Sequence, residues 1–152
     1  MNRLYPQWVG GPGAVGLLLL RLVVGAAFLF HGWPKIQHPL DWMGSDVPVP
    51  GALQAAAAVA EFGGGISLIL GALTPLFSLL LAGTMAFATF MVHVKMGHPF
   101  VAANVPGQTY QPSIELAAVY LAVALLVLLT GPGKLSVDYC LFGRRPETGW
   151  KP

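Results

Sequence analysis

The sequence predicts an all-α protein, a transmembrane antiparallel four-helix bundle with both termini in the cytoplasm. Three observations carry that expectation. The 152 residues are 55% hydrophobic and only 9% charged, where a soluble domain carries about a quarter charged residues. Four continuous apolar runs each approach the roughly 20 residues that cross ~30 Å of hydrocarbon as a helix. The basic residues divide unequally: Arg3, Lys134, Arg144, Arg145 and Lys151 lie on the side of the termini, against Lys35 and Lys95 on the other. By the positive-inside rule the termini are then cytoplasmic and the two long loops face outward.

The first span is expected at about 13–33. A cleaved signal peptide is the competing reading, with Gly25-Ala26-Ala27 as a small-residue cut site, but Arg21 breaks the apolar region and the run continues past the cut. The second span is expected at about 52–73 and the third at about 75–94, joined by the bare turn Leu73-Thr74-Pro75. Proline suits the first position of a helix, so these two spans form a tight hairpin. The fourth is expected at about 113–130, followed by a basic tail over 134–152. The Pro- and Gly-rich connections, 34–51 and 95–112, read as ordered loops. Trp8, Trp33, Trp42 and Tyr110 fall where interfacial aromatics belong. Strands of a membrane barrel are excluded, because the runs do not alternate. One four-span domain in the inner membrane accounts for the whole sequence.

The few ionisable residues within these runs define the candidate site. A charge at the bilayer centre costs about 2.5–3.5 kcal/mol even on the lenient insertion scale, so it faces a partner or a cavity. Arg21, Phe28, His31 and Lys35 share one face of the first span. Gln54 and Glu61, seven apart, share a face of the second; His93 closes the third, four residues after Thr89; Glu115 opens the fourth. Counted from the outer ends at ~1.5 Å per residue, Arg21 lies about 18 Å deep and Glu61 about 13 Å, which makes them the expected ion pair. The alternative for Arg21 is to snorkel towards the cytoplasm. Lys35, His31, Glu61, His93 and Glu115 converge on the outer half, where a shared polar pocket with Arg21 at its floor is expected. Gly63, Ser67 and Gly71, spaced by four, form a ridge for close helix packing.

Several chemistries are set aside. The lone Cys140 permits neither an intrachain disulfide nor a Cys-x-x-Cys redox pair. A formal net charge of +2 does not suggest a nucleic-acid surface. Glu61-Phe62-Gly63-Gly64-Gly65 has neither the strand nor the Gly-Lys-Ser/Thr of a phosphate loop. Haem between His31 and His93 would sit in a wet, crowded place, and no zinc-ligand spacing is diagnostic across helices, so no metal site is assigned.

The segments Leu20-Arg21-Leu22 with His31-Gly32 and Lys35, Glu61-Phe62-Gly63-Gly64 with Gly71 and Thr74, Val92-His93, Glu115, and Gly131-Pro132-Gly133-Lys134-Leu135-Ser136-Val137-Asp138 occur in this order. Together they resemble the DoxX family of small four-span membrane proteins. The resemblance implies a four-helix bundle in the cytoplasmic membrane. It also implies association with thiosulfate:quinone oxidoreduction or with membrane redox complexes whose soluble partners handle sulfur or superoxide. On this reading Glu61, His93 and Glu115 are the catalytic candidates, as proton carriers and donors. Arg21, His31, Lys35 and Gln54 would line a site for a quinone-type head. The expected neighbours are membrane lipid, a redox partner protein and a second copy of the chain, with no nucleic acid. The alternative is a non-enzymatic anchor that docks a partner through its loops or Arg144-Arg145.

Overall fold

The computed structural model describes residues 5, 7–44, 48–102 and 112–143. Among them every regular element is helical: α1 (Gly11–Gln37), α2 (Gly51–Leu70), α3 (Thr74–Ala86) running on as a π-helical segment (Phe87–Val94), α4 (Glu115–Thr130) and the short α5 (Val137–Phe142). Three of these helical stretches, Gly11–Gln37, Gly51–Leu70 and Thr74–Val94, are long and apolar enough to cross a membrane; α4 is shorter but equally apolar. The chain is a helical membrane bundle. Its surface agrees, because Val23, Phe30, Leu79, Phe90 and Leu129 are all exposed.

α1 is longer than its apolar run and passes through Pro34 to Gln37. A proline at that place removes one backbone donor, with less than a turn of helix left beyond it. Tyr110, expected at the membrane interface, and Arg144 and Arg145, expected to dock a partner in the anchor reading, lie outside the described residues. α2 packs on α1 and α3, and α3 on α4. Phe28, Val24, Leu68, Leu81, Met85, Ala124 and Val127 form the common core. Phe28 meets Tyr120 at 4.9 Å between ring centroids, which joins α1 to α4.

Glycines set the register. A Cβ on Gly25 would stand 2.9 Å from the Gly65 carbonyl oxygen, and one on Gly32 would stand 2.5 Å from the Phe62 nitrogen. The backbones of α1 and α2 therefore touch, as small residues permit in membrane helices. Gly63 and Gly64 serve the other neighbour, against Phe77 and Leu81 of α3. The glycine triplet of α2 thus packs on two helices.

The segment after α4 is ordered by its hydrogen bonds. Ser136 caps α5 by accepting from Tyr139 N, and its own hydroxyl donates to Gly133 O at 2.6 Å. Asp138 accepts from Leu73 N and Thr74 N, 2.9 Å each, and so caps α3 from 64–65 residues away. A carboxylate on those orphan amides satisfies donors that the helix itself cannot, and complements its dipole.

Candidate functional site

Arg21 and Glu61, both buried, sit at opposite ends of the bundle, and the expected pair between them does not form. Glu61, 2% exposed, is paired with Lys35, whose Nζ donates to both carboxylate oxygens at 2.6 and 2.7 Å. The reason is register. With Gly25 beside Gly65 and Gly32 beside Phe62, Glu61 lies level with the last turns of α1, and Arg21 lies beside Gly71. Ten residues of helix separate those levels, about 15 Å at 1.5 Å per residue. Counting depth from the outer ends misplaced Arg21, because α1 extends beyond Trp33.

Arg21 takes the other course open to it, towards the end of the bundle that carries the termini. It is fully buried, and its Nη2 donates to Leu135 O at 2.6 Å. Nε and Nη1 have no hydrogen-bond partner. Asp138 makes no salt bridge with it; its carboxylate is held by the α3 amides of Leu73 and Thr74. Gly71, at φ +64°, closes α2 in the left-handed region, and a Cβ there would run into the guanidinium. Tyr5 completes the cluster by donating to Leu128 O at 2.9 Å. Burial first, and the charge of Asp138 second, push its phenol above the ordinary range, so it stays a neutral donor.

The opposite end holds a cavity of about 380 Å³ between α2 and the α3–π wall. That volume is within the range of small-molecule sites. Its polar end is Lys35, Glu61, Gln54 and Trp42; Ala57, Ala60, Leu80 and Ala88 belong to its apolar wall. Leu53, Leu79 and Phe87 line it and are also exposed, so it opens on the lipid-facing surface of the bundle. The π-helical segment forms part of the wall through Phe87, Ala88 and Val92. Such departures from α-helix recur at functional sites.

Gln54 lines the cavity, but its amide is spent on the loop above. Its Oε1 accepts from Met43 N at 3.0 Å and its Nε2 donates to Val49 O at 3.0 Å. Trp42 Nε1 in turn donates to Gln54 O at 2.9 Å. Trp42 is thereby fixed with its ring 4.3 Å from Lys35 Nζ, a cation–π contact. Trp42 is the residue that sequence reasoning missed, because an interfacial tryptophan gives no sign of turning inward.

The expected shared pocket is only partly assembled. Lys35, Glu61 and Gln54 meet in the cavity; His31, His93, Glu115 and Arg21 do not line it. His31 is turned about 60° from Phe28 around α1, towards α4, with its ring 6.2 Å from that of Tyr120. Glu115 is exposed at the start of α4 and is not among the residues around the cavity. His93 faces His98, Nδ1 to Nδ1 at 3.0 Å. No group of three or more His, Cys, Asp or Glu suited to a metal occurs among the described residues.

Comparison with known proteins agrees with this architecture. The inner membrane protein YqjF of Escherichia coli is 29% identical over 133 residues, covering 84% of this chain and 92% of the relative. An uncharacterized protein of Haemophilus influenzae is 32% identical over 128 residues, 83% of this chain and 90% of its own. The Bacillus subtilis protein named "Putative oxidoreductase CatD" is 28% identical over 131 residues, 84% and 88% of the two chains. No solved structure matches. A multi-pass location in the inner membrane follows from the apolar helices and from YqjF. The DoxX profile matches residues 16–94, which cover most of α1, and α2, α3 and the π-helical segment, and with them Arg21, Lys35, Glu61 and the cavity. The chain belongs to the DoxX family.

Proposed function

We propose that the protein is the membrane subunit of a redox complex, with both termini cytoplasmic, and that its cavity takes the head of a quinone-type ligand entering from the lipid. One observation carries this reading: a partly buried, bidentate Lys35–Glu61 pair ends an apolar cavity that opens on the lipid-facing surface. A quinone needs a donor at its carbonyl oxygen, and its reduction to the quinol takes up two electrons and two protons. Lys35 Nζ is the donor within the cavity, and Glu61 is placed to pass a proton as the pair rearranges. Trp42 offers a flat face beside the ammonium. The chain has one cysteine and no cofactor motif, so the electrons come from a partner protein or directly from a small reductant such as a sulfur oxyanion. The oxidoreductase in the name of CatD supports a redox role.

Purified protein in nanodiscs, titrated with a short-chain ubiquinone or menaquinone analogue, tests the proposal by intrinsic tryptophan fluorescence. Binding that weakens about ten-fold or more in Glu61→Gln and in Lys35→Met, with the bundle still folded, is the expected result. Equal binding by wild type and both variants, or none at all, overturns the quinone site. A non-enzymatic anchor for a partner protein is then the function that fits the bundle.

A further inference from the structure

We infer that His93 and His98 form a two-imidazole site for a divalent transition-metal ion, with copper(II) the best fit. The inference starts from the backbone. His98 N donates to His93 O at 3.0 Å, and Gly97 N donates to Val94 O at 3.0 Å. Gly97 lies at φ +70°. This nested pair of bonds, closed by a left-handed glycine, is the Schellman termination of a helix, with His93 at the third residue from its end and His98 directly after the glycine. In that motif the side chains at these two positions meet, and the usual pair is apolar. Here both are histidine, and their Nδ1 atoms stand 3.0 Å apart with ring centroids at 5.2 Å and planes at 58°.

The chemistry follows from that separation. At imidazole–metal distances of about 2.0–2.1 Å, nitrogens 3.0 Å apart subtend about 95° at a shared ion. That is close to the angle between neighbouring ligands in the square-planar or tetragonal arrangement preferred by copper(II), and tighter than a tetrahedral ion wants. Copper(II) also heads the divalent series in affinity for nitrogen donors. Binding requires no net loss of protons from the pair. The ring that carries hydrogen on Nδ1 shifts it to Nε2, and both Nδ1 lone pairs then turn to the metal. Neither ring is fully buried, so solvent water can supply the remaining ligands. The two histidines hold each other through five residues and one backbone bond, so the chelate is organised before the ion arrives.

The test uses the full-length protein in detergent with any histidine tag removed, titrated with copper(II) and followed by calorimetry and by electron paramagnetic resonance. Wild type should take up one tight equivalent, with nitrogen coupling from two imidazoles. His98→Leu and His93→Leu should each weaken that equivalent by on the order of ten-fold or more and remove the two-nitrogen signature. His98→Leu restores an apolar contact at the helix end, and His98→Gln gives a polar replacement should the first variant fold poorly. His31→Leu and His38→Leu should leave the tight equivalent unchanged. Uptake by the His93→Leu/His98→Leu double variant equal to that of wild type, or a wild-type spectrum with fewer than two coupled imidazoles, overturns the site.

Discussion

The two ends of the bundle each bury a cation, and they use it differently. At the terminal end Arg21 is fully enclosed, its Nη2 is given to a backbone carbonyl, and the Asp138 carboxylate is given to two backbone amides of α3. Arg21 Nε and Nη1 stay unpaired, but the guanidinium offers no exposed surface that a ligand's charge could reach. At the loop end Lys35 keeps about a fifth of its side chain exposed, its carboxylate partner is buried, and the pair fronts a cavity. Intramembrane charge alone therefore does not mark a site. What distinguishes the two ends is whether the charge is wholly enclosed or fronts a cavity.

The sharpest way to break this contrast is to remove Asp138. Asp138→Ala strips the cap from Leu73 N and Thr74 N. Each buried amide left without its acceptor costs about 1–3 kcal/mol. A large fall in the apparent melting temperature in detergent is expected, with any ligand binding at the other end lost only as far as the fold is lost. A melting temperature within a degree or two of wild type would mean that the terminal cluster is not what holds α3 and the tail together.

Glu61→Gln should cost less, about 1–3 kcal/mol, because Lys35 is partly exposed and can turn to water. Lys35→Met combined with Glu61→Gln should recover much of that loss, since the two residues contact each other. Thermal melts of the two single variants and the double variant decide it; strictly additive losses would show that the pair contributes no coupling. Arg21→Met with Glu61→Gln should instead be additive, because the two residues lie at opposite ends of the bundle.

The contact between α1 and α2 links the ends, and Gly32→Ala probes it. The added methyl would press on the Phe62 backbone rather than on a movable side chain. Overpacking of this kind costs about 1–3 kcal/mol. It should also push Glu61, the neighbour of Phe62, away from Lys35. Loss of stability together with weaker ligand binding is the expected pattern, measured by melting and by the fluorescence titration.

These particulars show what the sequence carried and what it did not. Four helices and their approximate limits follow from apolar length, and Lys35, Gln54 and Glu61 were legible as polar interruptions on inward faces. The partner of Glu61 was not, because register depends on which glycines meet, and Gly25, Gly32 and Gly65 look alike in one dimension. The role of Asp138 was hidden for another reason. A cap supplied from 64 residues away leaves no local pattern at the helix it caps. His93 and His98 were legible in principle, since a glycine directly before the second histidine, four residues after the first, is a helix-end spacing.

The smallest effect on stability is expected at Gly83, and it gives the cleanest separation of fold from site. Gly83 lines the cavity, and a Cβ there would meet no atom within 4 Å; Gly16, on α1 far from the cavity, is equally free. Both glycines lie inside helices, so alanine at either should stabilise by about 0.4–1 kcal/mol through the unfolded chain alone. Gly83→Leu should keep the bundle folded while its side chain occupies cavity volume, and the quinone analogue should bind more weakly in proportion to the space removed. Gly16→Leu should change neither binding nor, beyond that small increment, melting. Should the two leucine variants bind the analogue equally well, the ligand does not enter between α2 and α3, and the contrast between a closed end and an open one carries no functional meaning.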